Sequence, residues 1–256
     1  MLTLVKQELF KLGKKKSTAI ISALLLVFIF GVALLTKIYS SIFDPASMVQ
    51  GGFGAIQLIV FILIATSSVI IAMETQFGTI KDLLYRKYSR GAVLASKWLT
   101  ILIYSIYLNV LIFVASIVAK LVFLPTIALS DKIDNQTLIM ALITTLVANF
   151  ISTWLILSLV LLLASIFSSS GASIAAGIVF YFLTTILSGI QILAISKWDW
   201  IKWNPLNMMN LINQWMNGQE FEKLTQLTNN ELIIGNLAYT ALFLFLGYFV
   251  FKRKNV

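Results

Sequence analysis

The stretch ETQFGTIKDLLYRKYSRGAVLASK, residues 74–97, lies between two long apolar runs at 55–73 and 98–124. It begins with a carboxylate, is interrupted by Gly78 and carries five Lys and Arg residues. A protein that only had to be anchored in a membrane would need no such basic, helix-forming insert. We therefore expect residues 74–97 to join two membrane spans and to dock on a partner outside the membrane.

Composition places the flanking runs in lipid. Of the 256 residues, 59% are hydrophobic and 11% are charged, whereas a soluble domain has about 25% charged residues. The chain has no cysteine and no histidine. It therefore lacks a thiolate nucleophile, the commonest general base and the commonest metal ligand, so we expect no catalytic residue and no metal site.

Six stretches are long and apolar enough to cross about 30 Å of hydrocarbon, which takes about 20 residues in a helix. We therefore predict an all-α membrane protein with one transmembrane domain over residues 1–256. A turn-rich connection at 37–54, with no evident chemistry, joins the first two spans. The predicted spans cover residues 17–36, 55–73, 98–124, 138–167, 172–195 and 232–251.

The placement of charge predicts the orientation. If both termini are cytoplasmic, the inner segments hold 13 Lys and Arg residues and the outer segments hold 6, as the positive-inside rule requires. This placement also argues against nucleic acid as a partner. Lys37 and Lys120 fall at outer span ends, where they can reach the headgroups. No ionisable group lies near mid-depth and no phosphate-binding loop is present, so a transporter of this kind needs an external energy source.

Residues 74–97 carry the signs of a short amphipathic helix. Thr79 and Asp82 have the spacing of a capping box, and Ile80, Leu83 and Leu84 form an apolar side that suits a groove in a partner protein. The alternative is a solvated basic loop that only fixes topology. The residues predicted for docking are Gly78, Thr79, Ile80, Asp82, Leu83, Leu84 and Arg86.

The first sixteen residues and the fifth span also have a predicted role. Residues 1–16 place Leu2, Val5, Leu9 and Leu12 at helical spacing among lysines, which predicts a helix in the cytoplasmic interface or a simple topology signal. The fifth span repeats small residues four apart, which allows close helix packing within the chain or between two chains. These residues are Ala172, Ser173, Ala176 and Gly177.

The segment 196–231 is too long for a simple loop. Asn204-Pro205 predicts a helix start, Gly218 predicts its end, and four tryptophans indicate the membrane–water boundary. We expect one or two short helices that dip into the outer leaflet. They cover the outer mouth of a pathway or act only as an interfacial anchor. One face of this helix is lined by Leu206, Met209, Ile212 and Met216.

Two motifs carry a resemblance to a known family. One is Glu74-x-x-x-Gly78-Thr79-Ile80 with Leu83-Leu84 behind it, followed by Arg90 and Ser96-Lys97. The other is Glu8-x-x-Lys11 in the first helix. With six spans around them, these motifs resemble the membrane subunit of bacterial type-2 ABC exporters over essentially the whole chain. In size the chain is similar to the small permeases that Gram-positive bacteria use for peptide export and antibiotic self-protection.

The resemblance implies a multi-pass permease in the bacterial cell membrane. It implies an interfacial helix supported by Glu8 and Lys11, a coupling helix in 74–97, and re-entrant helices before the sixth span. It also implies a homo- or heterodimer of membrane subunits, in which the first and fifth spans meet. A separate ABC ATP-binding subunit would hold ATP and Mg²⁺, and this chain would bind no cofactor. The alternative function is a membrane immunity protein that sequesters a toxic peptide without transport.

Overall fold

The computed structural model of the protein describes residues 2–76, 88–133, 136–167 and 169–253, without the side chains of 72–76, 133, 188 and 219. Almost all of these residues are α-helical, which confirms the all-α class. The predicted docking residues between Gly78 and Arg86 lie outside the described residues. The helices are α1 (Leu2–Lys14), α2 (Lys16–Ile38), α3 (Pro45–Gln50), α4 (Ala55–Gln76), α5 (Arg90–Phe123), α6 (Leu138–Ile166), α7 (Ser170–Ile195), α8 (Pro205–Met208), α9 (Leu211–Asn217), α10 (Gln219–Thr225) and α11 (Asn229–Arg253).

Six of these helices are long and apolar enough to span a membrane, namely α2, α4, α5, α6, α7 and α11. They coincide with the six predicted spans. Burial is greatest in α6, where 61% of the most apolar window is buried, and least in α2, α7 and α11, where the share is 17%. The latter three helices therefore leave most of their apolar surface to lipid or to another chain.

The third span starts earlier than predicted. Helix α5 begins at Arg90 and not at Trp98, and Ser89 precedes it. The Ser89 hydroxyl oxygen accepts a hydrogen bond from the backbone N–H of Ala92 at 3.2 Å, as an N-cap does. The last eight residues of the basic insert are consequently the first turns of a spanning helix.

The connection between the first two spans contains a helix that the sequence reading missed. Asp44 caps α3 by accepting hydrogen bonds from the Ser47 backbone N–H at 2.9 Å and from the Ser47 hydroxyl at 2.6 Å. These bonds hold the pKa of Asp44 below its usual value, since they favour the ionised carboxylate. Pro45 then occupies the first helical turn, where its missing N–H costs nothing. Asp44-Pro45 is therefore a helix start and not a turn.

The connection between the third and fourth spans carries a short hairpin. Its strands, β1 (Lys132–Ile133) and β2 (Gln136–Thr137), are antiparallel, with Lys132 opposite Thr137. The backbone N–H of Ala128 donates to an Asp131 carboxylate oxygen at 2.7 Å and stabilises the approach to the hairpin.

The chain divides into two compact units. The first contains residues 2–8, 63–101 and 151–253, and the second contains 9–62 and 102–150, each within the described ranges. The first unit holds α7 to α11 complete, and the second holds α2, α3 and the hairpin complete.

Candidate functional site

The clearest polar centre of the first unit is Lys97, in the early turns of α5. Only 2% of its side chain is exposed. Its ammonium donates a hydrogen bond to the carbonyl oxygen of Ile70 in α4 at 2.8 Å. A carboxylate oxygen of Glu8, from α1, lies 3.6 Å from the same nitrogen, and the Glu8 side chain is 13% exposed. We call Lys97, Glu8 and the Ile70 carbonyl the Lys97 junction.

The junction follows from the cost of burying charge. An ammonium removed from water loses several kcal/mol of solvation unless an opposite charge and hydrogen-bond acceptors replace the water. Glu8 supplies the charge and Ile70 supplies an acceptor. Helices α1, α4 and α5 are thus held to one another at a single point. Two of them, α4 and α5, flank residues 77–87.

The same end of α5 contacts the end of the last span. The Arg90 guanidinium donates to the carbonyl oxygen of Lys252 at 3.2 Å, which stabilises the open carbonyl end of α11. One residue later, Gly91 lies against the ring of Tyr248. A Cβ atom added at Gly91 would lie 2.7 Å from Tyr248 Cε2, closer than atoms can approach.

The structure places the two predicted site residues of the first helix in different surroundings. Glu8 lies in the Lys97 junction, and Lys11 is exposed one turn further along α1. The buried side of α1 is formed by Leu4, Val5 and Leu12, while Leu2, which was predicted to be apolar-facing, is 78% exposed. Sequence reasoning missed the role of Lys97. The signal was a lysine at the start of an apolar run, which has to find a counter-charge if its helix is packed.

The small residues of α7 are divided between two environments. Ser173 is fully buried, and Gly177 lies against spans two and four of the same chain. A Cβ atom at Gly177 would lie 2.8 Å from Ile64 Cγ2 and from Val160 Cγ2. Ala172 is exposed and Ala176 is half-buried. Close packing within the chain therefore uses Ser173 and Gly177 and leaves Ala172 at the surface.

The segment between the fifth and sixth spans, residues 199–228, is folded, and we call it the outer cap after its predicted orientation. Asn204 caps α8 by accepting from the Asn207 backbone N–H at 2.9 Å. The Asn207 amide donates to the carbonyl oxygens of Lys202 at 2.7 Å and Thr225 at 2.9 Å. The Gln214 amide donates to the carbonyl oxygen of Leu227 at 2.9 Å. Buried amides thus hold α8, α9 and α10 together.

The outer cap is attached to α11 at several points. Asn236 is fully buried, and its amide donates to the carbonyl oxygen of Met208 at 2.7 Å. The Tyr239 hydroxyl donates to the carbonyl oxygen of Trp203 at 2.8 Å. Gly235 makes room for Met208, since any Cβ atom there would overlap the thioether.

The apolar face expected from residues 206, 209, 212 and 216 is not the most buried side of the outer cap. The predicted face is only partly buried, and the fully buried residues are Asn207, Met208, Asn210, Leu211 and Gln214. The reason is that α8 and α9 are two short helices separated near Met209, so that a single helical period does not run through both. Three of the four tryptophans in the segment 196–231 are exposed, as residues in contact with a membrane surface would be, namely Trp198, Trp200 and Trp203.

Comparison with known sequences gives a family without an assigned activity. The family described as "Protein of unknown function (DUF2705)" matches residues 39–256, which include five of the six long helices. The chain is 25% identical over 197 residues to the uncharacterized protein YhcI of Bacillus subtilis (strain 168), an overlap of 73% of this chain and 61% of that relative. The chain spans about three fifths of the length of the curated relative it matches. It belongs to the DUF2705 family.

Proposed function

We propose that this chain is the non-catalytic permease subunit of an ATP-driven exporter. In this proposal a separate ABC subunit binds ATP and Mg²⁺ and docks on residues 78–86 at the cytoplasmic surface. The observation that carries the proposal is the Lys97 junction. It joins α4 and α5, the two helices that enter and leave the docking segment, to one another and to α1.

The junction supports a transmission role for physical reasons. A partner that pushes on residues 78–86 applies force to the end of α4 and the start of α5. Because Lys97 ties both helices together through a buried, directional contact, they would move as one body and would carry α1 with them. A solvated loop would need no such contact, since its flanking helices could move independently.

The other parts of the proposal concern placement and cargo. The protein would lie in the bacterial cell membrane with both termini cytoplasmic, α1 in the inner interface and the outer cap dipping into the outer leaflet. Two such chains, or this chain and a related one, would form the permease. The spans are mostly apolar, so a hydrophobic or amphipathic cargo, such as a peptide or an antibiotic-like molecule, fits them better than a sugar or an ion.

The experiment is co-purification from the native host in a mild detergent. We expect the tagged wild-type chain to retain an ATP-binding subunit at near-equal stoichiometry. Leu83→Asp combined with Leu84→Asp should remove that subunit while membrane insertion persists, since two carboxylates cannot enter an apolar groove. The measurement is mass spectrometry of the co-purified proteins with a membrane-fraction blot for the tagged chain.

The matched control introduces two aspartates at exposed apolar positions away from residues 78–86. Ile42 and Leu224 are exposed apolar residues outside the spans, 73% and 40% accessible. Ile42→Asp with Leu224→Asp should keep the ATP-binding subunit. Retention of the subunit by the Leu83/Leu84 variant would refute docking at this segment. If that variant also still protected cells from a toxic peptide, the sequestering immunity protein would be the better description.

A further inference from the structure

Gln191, in the C-terminal half of α7, carries a buried amide without hydrogen bonds. Its side chain is 5% exposed. Neither the amide nitrogen nor the amide oxygen has a hydrogen-bond partner among the described residues. A buried polar group of this kind has lost its bonds to water and has gained none in exchange. Since most buried polar groups in folded proteins are paired, the exception at Gln191 calls for a physical explanation.

Gln214 in the outer cap shows how the same side chain behaves when it holds a structure together. It is 1% exposed. Its amide nitrogen donates to the carbonyl oxygen of Leu227 at 2.9 Å, and its amide oxygen accepts from the hydroxyl of Thr225. The two glutamines are therefore nearly equal in burial and opposite in hydrogen bonding. Gln191 does not hold neighbouring segments together as Gln214 does.

Hydrogen bonds fix the outer cap to α11 but not to α7. Asn236 and Tyr239 of α11 donate to main-chain carbonyls of the cap. Helix α7 packs against the cap at residues 199–203, α8 and α10. Among the described residues, however, no hydrogen bond or ion pair joins residues 186–195 to the cap. The contact between α7 and the cap therefore rests on packing alone.

The two halves of α7 differ in how closely they are packed. In the first half, Gly177 lies so close to spans two and four that a Cβ atom would overlap them. In the second half, a Cβ atom at Gly189 would have no atom within 4 Å. Ile190 and Leu193 are exposed there. The C-terminal turns of α7 are thus the loosely packed end of the helix.

We propose that the contact between the C-terminal end of α7 and the outer cap opens in the folded protein. The cap stays on α11, and the chain bends in the linker 196–198. Gln191 lies about 6 Å before the end of α7, so water at the membrane surface reaches its amide in the open form. The amide then gains the bonds that it lacks in the closed form, which lowers the energy needed for opening. This opening does not depend on the proposed export function.

Thiol labelling measures the opening, because the natural chain contains no cysteine. Ile195 is 2% exposed and lies one turn after Gln191 on the same side of α7. Ile195→Cys therefore reports on this end of the helix. Leu211→Cys places a thiol inside the cap, where Leu211 is fully buried. With a water-soluble maleimide and protein in lipid nanodiscs, we expect position 195 to be labelled about tenfold faster than position 211.

Gln191→Met, added to Ile195→Cys, tests whether the unpaired amide drives the opening. Methionine has a similar length and no amide that needs a partner. Labelling at position 195 should therefore slow about tenfold, and labelling at position 211 should not change. The matched control is Gln214→Met with Ile195→Cys, since it removes an amide that is bonded at both ends. This control should not slow labelling at position 195.

Equal protection of positions 195 and 211 would overturn the proposal. So would unchanged or faster labelling after Gln191→Met, or the same slowing after Gln214→Met. Equal slowing at position 211 would mean that methionine stabilises the whole fold, which also contradicts a local opening. If a cysteine variant does not fold, the unfolding temperatures of the two methionine variants decide. Gln191→Met should raise that temperature and Gln214→Met should lower it, and a fall in both would refute the proposal.

Discussion

Lys97 shows how one side chain can join three helices. Its ammonium contacts the Ile70 carbonyl and the Glu8 carboxylate while almost none of it reaches the surface. Removing one member of a buried charge pair leaves the other without compensation, at a cost of about 3–5 kcal/mol. The change Glu8→Gln costs less, because the glutamine side-chain oxygen and the Ile70 carbonyl can still accept hydrogen bonds from the Lys97 ammonium.

We therefore expect Lys97→Met to lower the thermal unfolding temperature strongly and Glu8→Gln to lower it less. Scanning fluorimetry in detergent, which follows tryptophan emission, measures both. Lys6→Met is the control, since Lys6 is an exposed lysine on α1. If Lys97→Met unfolds at the temperature of Lys6→Met, the junction does not stabilise the fold.

For single residues, the sequence indicated which positions carry motifs or pack closely better than it indicated which residues they contact. The motif that contains Lys97 could be read directly, but its contacts could not, because Glu8 and Lys97 are far apart in the chain. Ser173 and Gly177 could be identified as packing residues, but their neighbours Ile64 and Val160 could not. Which residues of two spans meet depends on how each helix is rotated about its axis. A helix that is apolar on all sides gives little sequence signal for that rotation.

Helix α7 allows a test of close packing within one element. Gly177 lies against Ile64 and Val160, whereas nothing lies within 4 Å of a Cβ atom at Gly189 in the same helix. Gly177→Val should destabilise the protein by about 1–3 kcal/mol through overpacking. Gly189→Val should change stability by less, and the two unfolding temperatures compare them directly. Equal effects would mean that valine acts through helix propensity alone.

Among the helices, the long apolar spans could be predicted from the sequence, whereas the short helices could be predicted only in part. The six apolar stretches match six long helices because an apolar run of that length has no other stable form in lipid. The early start of α5 was missed because its first turns are basic and amphipathic. The apolar spacing did not indicate which residues of the outer cap are most buried, because its helices are held by buried amides, whose positions hydrophobic spacing does not report.

At the scale of the whole molecule, the exposed Ala172 position leads to a prediction about assembly. Ser173 is buried in its own chain and Ala172 is not. If two copies meet along α7, Ala172→Cys should form a disulfide-linked dimer under mild oxidation and Ser173→Cys should not. The natural chain contains no cysteine, so non-reducing electrophoresis reports the new thiol alone. Cross-linking at both positions, or at neither, would contradict this arrangement of copies.

The hydrogen bonds of the outer cap determine which substitutions it can tolerate during evolution. Its holding bonds run from Asn207, Gln214 and Asn236 to main-chain carbonyls. A main-chain acceptor is present whatever residue carries it, so these bonds by themselves place no demand on the side chains at positions 202 and 227. Exposed side chains such as Trp200 and Leu224 can therefore be exchanged while the cap keeps its shape. The exposed surface of the cap can therefore vary while the bonds that hold the cap to α11 stay the same.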